Sequence, residues 1–178
     1  MNRYKSALKG FTLIELLIVI AILGILIIAL LVTMNPIEAQ RKARDTKRLA
    51  DLSKLNTILN QYVNDTAVIP AITVTSASAG AVYTGVPCAS SWLTVAVNTC
   101  AYAPTIPTDP INNRAGVTVQ GTATTQTMAY GVTMTAAGLY EITVFVESAT
   151  NLNKVTGDGG AGATQAYTVE AGTDLALR

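Results

Sequence analysis

Lys9-Gly10-Phe11-Thr12-Leu13-Ile14-Glu15 opens an almost unbroken apolar run that ends at Met34. From Phe11 to Met34 the run has 24 residues and a single ionisable group, Glu15, near its start. At 1.5 Å rise per residue, about 20 apolar residues span a hydrocarbon core, so residues 11–34 are long enough to cross a membrane as a helix. A carboxylate at the centre of such a helix costs roughly 2.5–3.5 kcal/mol, and less near an end, so it is normally paired. No other residue of the apolar segment is charged, which leaves Glu15 in need of a partner from elsewhere.

Around that run the chain divides by charge. Residues 1–64 carry 9 Lys/Arg against 4 Asp/Glu, and residues 65–178 carry 3 against 7. A basic, partly apolar stalk therefore precedes a mildly acidic, Thr/Ala/Gly-rich head. In 178 residues there is room for one membrane segment and one small domain. The chain contains no histidine, which removes Ser-His-Asp and Cys-His catalysis and imidazole metal ligation together. No carboxylate dyad stands in its place, so we expect no catalytic residues, no cofactor and no metal. The two cysteines, Cys88 and Cys100, lie in the head. An even count beyond a membrane span reads as one disulfide in an oxidising compartment, the alternative being two free buried thiols.

The first ten residues carry Arg3, Lys5 and Lys9 and no acid, as a targeting leader does. Three readings are open. A secretory signal would have a shorter apolar core and a small-residue cleavage site after it; a signal anchor fits the length but leaves Glu15 unexplained. Cleavage between Gly10 and Phe11 would instead keep the membrane helix and create an α-amine on Phe11. That amine would lie about 6 Å along the axis from Glu15, on the same helix face, and could pair with it within one chain or between chains offset by a step. Such a pair is strong in low dielectric only when well matched.

The heptapeptide, followed by Leu16-Leu17-Ile18-Val19-Ile20, resembles the leader and first helix of type IV prepilins and type II secretion pseudopilins. The resemblance implies a class III leader cut after Gly10 by a membrane prepilin peptidase, which also N-methylates Phe11. It implies that Glu15 meets the N-terminus of an adjacent subunit during assembly. It further implies a cytoplasmic leader, a single-pass span in the inner membrane and an outward head, with an assembly platform and ATPase as partners. Charge counting alone leaves the orientation ambiguous or even reversed, because Arg41, Lys42, Arg44, Lys47, Arg48 and Lys54 flank the far side of the span. These cations are interleaved with Glu38, Asp45 and Asp51 on a continuing helix.

Past Met34, Pro36 removes a helical donor and is expected to kink or locally melt the helix, and Gly24 offers a second soft point. No further Gly or Pro follows up to Val68. Leu52, Leu55, Leu59 and Tyr62 recur at helical spacing, widened by Ile58 and Val63, so this half is an amphipathic helix with one face for burial. The mixed run Arg41–Arg48 reads as its solvated polar face. A nucleic-acid or anionic-lipid site is the competing reading, but no aromatic residues accompany the charges, so nucleic acid is not expected as the main partner.

Val68-Ile69-Pro70 should end the helix, and short β-type runs fill the remainder. We expect a strand at most in 71–86, a strand or buried turn at Trp92–Val97, and no central strand in Ala103–Pro110, where three prolines fall. Strands are expected in 116–120, 127–134 and 139–147, the last two joined by a turn at Ala136-Ala137-Gly138. Trp92 reads as core packing under the cysteine pair, with a binding-surface role as the alternative. Asp109 is expected to cap a turn and Asp158 to sit in a Gly-rich loop. The Pro107-Thr108-Asp109-Pro110 segment and the hairpin after it are similar to pilin and pseudopilin heads, where major pseudopilins bind calcium. No such ligand run is recognisable around Asp158, and a head disulfide leans towards a pilin.

The expected fold is thus α+β, a long N-terminal helix with a membrane-spanning first half and an amphipathic second half packed on a small antiparallel sheet. The expected parts are a leader at 1–10, a membrane and filament-core helix at 11–34, an amphipathic helix at 35–66 and a β-rich head at 67–178. The expected function is that of a pilus-like filament subunit, polymerising through its N-terminal helix as a helical homo-oligomer. A pseudopilus of secretion or competence, and a membrane-anchored binding domain that never polymerises, are the alternatives.

Overall fold

The computed structural model describes residues 10–33, 35–82, 84–94, 97–119, 125–156 and 168–174. The chain divides into two units, residues 1–37 and 38–178.

In the first unit, α1 runs Leu13–Thr33, a series of Leu, Ile, Val and Ala interrupted only by Glu15 in its first turn, Gly24 and the terminal Thr33. Its described side chains are exposed on every face, and Leu13–Leu31 is long and apolar enough to cross a membrane. A helix that is apolar all round has no preferred side to bury in water, which suits lipid or a surrounding of like helices. Helix α2 runs Pro36–Asp65, and Asn35 stands outside either helix. Pro36 occupies the first helical position, where its missing N–H would have had no intrahelical partner.

In the second unit, α2 presents Leu52, Leu55, Ile58, Leu59 and Tyr62 to a common core with one face of a sheet. The sheet has the order β1-β6-β7-β8 and is antiparallel throughout. Its strands are β1 (Ile72–Thr75), β6 (Gly131–Met134), β7 (Tyr140–Phe145) and β8 (Thr168–Gly172). Val132, Met134, Tyr140, Ile142, Val144 and Val169 supply its core face. Two ribbons of two residues per strand, β2 (Val86–Pro87) with β3 (Thr105–Ile106) and β4 (Val117–Thr118) with β5 (Thr125–Gln126), complete the strands, and a short helix α3 spans Leu152–Thr156. The class is α+β, with an antiparallel sheet laid on the amphipathic helix.

The β6–β7 hairpin turns where expected. The Thr135 amide donates to the Leu139 carbonyl at 2.8 Å and Gly138 to the Thr135 carbonyl at 3.0 Å. Gly138 has φ +81°, and a Cβ there would stand 2.9 Å from Ile69 Cδ1. The turn therefore needs glycine for both backbone conformation and space. Strand β8 was not expected, and it pairs along the whole of Glu141–Phe145. The Trp92 segment is a turn rather than a strand, with the Val97 amide donating to the Leu93 carbonyl. Three prolines notwithstanding, Thr105–Ile106 does pair, but only with the short strand β2, outside the main sheet.

Candidate functional site

Gly10, Phe11 and Thr12 precede α1 as exposed, non-helical backbone. Among the described residues nothing lies within 4 Å of where a Gly10 Cβ would be. An exposed peptide bond outside regular secondary structure is what a peptidase can take into its cleft, so the local structure leaves Gly10–Phe11 accessible. Residues 1–9 of the leader lie outside the described residues.

Glu15 is held by a residue that the sequence reading passed over. Its Oε2 accepts the Thr12 amide at 2.9 Å and the Thr12 hydroxyl at 2.8 Å, and the Glu15 amide donates back to Thr12 Oγ1 at 3.3 Å. This is a reciprocal capping box, Thr12 at the cap and Glu15 three residues on. It satisfies donors that the first helical turn otherwise leaves open, and it places the carboxylate at the helix N-terminus where the dipole favours negative charge. Among the described residues Glu15 Oε1 takes no hydrogen bond, so the group keeps acceptor capacity for a further cation. The signal was Thr-x-x-Glu itself, legible at Thr12-Leu13-Ile14-Glu15.

Cys88 and Cys100 form a disulfide with Cα atoms 5.2 Å apart, inside the range such a bridge requires. It closes a loop containing Trp92, whose side chain is buried and whose Nε1 donates to the Pro107 carbonyl at 2.9 Å. Asp109 does cap its turn, accepting the Ile111 amide at 2.9 Å. Asp158 falls outside the described residues, and among the described residues no group of three or more His, Cys, Asp or Glu is placed to hold a metal ion.

The run Arg41–Arg48 is not a solvated face throughout, and here the sequence reading is corrected. Arg48 and Asp45 have no exposed surface. Arg48 binds Asp109 with two nitrogens, Nε at 2.6 Å and Nη2 at 3.0 Å, and its Nη1 reaches Asp45 at 2.9 Å and Glu147 at 2.6 Å. Arg44 binds both oxygens of Glu147, at 2.9 and 2.5 Å. Asp45 also accepts the amides of Glu147 and Ser148 and the side-chain amide of Asn151. Two guanidinium groups and three carboxylates thus join α2 to the Asp109 turn and to the chain leaving β7.

Burial alone would lower the Arg48 pKa, but the hydrogen bond and charge of Asp109, with Glu147 behind it, raise it above its ordinary value. Burial would likewise raise Glu147, and the hydrogen bond from Arg44 and the Arg48 charge overturn that, leaving it below the ordinary 4.5. At the edge of the cluster Tyr130 donates its hydroxyl to Asp51 at 2.9 Å. Burial raises both groups, outweighing for Asp51 the Tyr130 bond and the nearby Lys47 and Lys54. Stepping the buried stripe back from Leu52 by four and by seven residues lands on Arg48 and Asp45, which is how the sequence could have exposed them.

No curated protein and no solved structure matches this chain. Residues 6–31, enclosing Gly10, Phe11, Thr12 and Glu15, match the prokaryotic N-terminal methylation motif, the class III leader signature of type IV pilins and pseudopilins.

Proposed function

We propose that this chain is the structural subunit of a type IV pilus-like filament, cut after Gly10 and N-methylated on Phe11 by a prepilin peptidase. Its α1 helix lies in the inner membrane as a single pass and then leaves it for the filament core, heads outward. The single observation that carries this reading is the methylation motif at residues 6–31, set on a helix whose apolar side chains are exposed on every face. Cleavage would create a cationic amine on Phe11. In one chain Glu15 already holds its own Thr12 with Oε2, and the remaining oxygen is open to the amine of a neighbour. A charge pair of this kind, made inside a sheath of apolar helices, fixes the axial step because a mismatched register leaves a buried charge uncompensated.

Pro36 and Asn35 interrupt the helical run between α1 and α2, and we assign to them the freedom a stalk needs when it changes surroundings. The Cys88–Cys100 bridge supports a pilus in preference to a pseudopilus. Assembly would draw on a platform protein and its ATPase.

The test is the mass of the mature protein from a host that contains the peptidase. The expected species begins at methylated Phe11. A chain retaining residues 1–10 would instead make it a signal-anchored membrane protein.

A further inference from the structure

Helix α2 is attached to the head in two different ways along its length. Within residues 38–48 the buried side chains are Asp45 and Arg48 alone, and the apolar residues there, Ala39 and Ala43, are exposed. Apolar attachment begins with the half-buried Leu49 and is complete from Leu52 onward. Above Leu49 the grip is made of charges and hydrogen bonds. Glu38 accepts the Ser148 hydroxyl at 2.6 Å and the Ala149 amide at 3.1 Å. About two helical turns further, Arg44 and Asp45 hold residues 147–151, and Arg48 holds Asp109.

We infer that residues 38–51 of α2 form an ionic latch, docked on the Asp109 turn and on residues 147–151, which opens as one piece while residues 52–65 stay on the head. The physical reason is that a buried charge cluster is stable only when complete. Removing one partner leaves the others buried without compensation, and opening to water is the cheapest relief. Residues 52–62 have no such escape, because their burial is apolar. Local opening in units of this size is a general property of folded proteins where contacts change character. The consequence is mechanical. Opening lengthens the tether before the head by about 21 Å if the segment stays helical.

The groups that set the balance face the cluster from every element around it. Glu38, Arg41, Arg44, Asp45, Arg48 and Asp51 come from α2, Asp109 from its turn, Glu147 from the chain after β7, and Tyr130 from beside Asp51. Lys47 and Lys54 act on Asp51 from the same helix. Acid protonates Glu147, the carboxylate that joins Arg44 and Arg48, and so removes the charge that compensates both guanidinium groups; the latch opens as pH falls.

Trypsin reads the latch directly, since Arg44, Lys47 and Arg48 lie within it while Arg114 and Lys154 are exposed sites elsewhere on the head. In the full chain in detergent at about pH 8, Asp109→Asn and Glu147→Gln should each speed cleavage after Arg44, Lys47 and Arg48 by about tenfold or more. Cleavage after Arg114 and Lys154 and the fluorescence of Trp92 should stay as in the parent. Unchanged cleavage in the latch, or a parallel rise at the head sites, overturns the inference. The unmutated chain gives a second reading that needs no variant. Brought from neutral pH to about pH 3.5, it should lose hydrogen-exchange protection (corrected for the intrinsic rate) in 38–50 before 52–62. Simultaneous loss in both segments overturns it equally.

Discussion

Replacing both Cys88 and Cys100 by alanine separates what the bridge does to the folded head from what it does to the unfolded chain. The two cysteines are 12 residues apart, so the bridge closes a short loop. In the chain-entropy treatment a loop of that size removes roughly 10 cal/mol/K from the unfolded ensemble, or about 3 kcal/mol at room temperature. Cys100 is exposed and Cys88 half-buried, so the substitution leaves little cavity. Inside the loop, Trp92 is anchored independently by its bond to the Pro107 carbonyl, and Leu93 and Val97 are buried in the core. The folded state should therefore survive at room temperature with Trp92 in its native environment. Urea unfolding of the full chain in detergent, followed by Trp92 emission, is the assay. The midpoint should fall by an amount worth about 3 kcal/mol, and the slope should steepen because the unbridged chain exposes more surface. The reduced parent should behave as the double variant does. A loss below about 1 kcal/mol with an unchanged slope, or a red-shifted native spectrum, would refute the reasoning and place the effect of the bridge in the folded state.

Gly138→Ala should lower head stability by about 1–3 kcal/mol, measured by urea midpoint, since φ is +81° and the new Cβ meets Ile69 and Val63. An unchanged midpoint would mean that the hairpin turn relaxes freely. Acid should weaken the head through Glu147. Its folded pKa lies below the ordinary 4.5, so its contribution is complete above that value and is lost as pH falls through the lower folded one. Glu147→Gln should flatten this acid limb of a stability-against-pH curve, and a limb that stays as steep would exclude Glu147 as its source.

What the sequence made legible was what periodicity carries. The stripe Leu52, Leu55, Leu59, Tyr62 became the buried face of α2, and Ala136-Ala137-Gly138 became the β6–β7 turn. Strand β8 escaped because Thr168–Gly172 is short, follows a Gly/Ala-rich stretch and alternates with small residues such as Ala171. The latch escaped for a different reason. Charge is read as solvent exposure, and only tertiary structure brings Asp109 and Glu147, distant in sequence, onto Arg48. At the N-terminus, attention to Glu15 as a lone acid hid the simplest partner, Thr12, three residues before it. The capping box does not replace an intersubunit role for Glu15. It orders the carboxylate within one chain, which is compatible with the intersubunit role we propose for it.

We propose that copies of this chain stack through a contact centred on Glu15. Electron microscopy of material sheared from cells that make the parent chain or Glu15→Ala at equal membrane levels tests it most directly. Filaments are expected from the parent and none from the variant, with the variant still inserted in the membrane. Equal filaments from both, or none from the parent in a host with the processing peptidase, would contradict it.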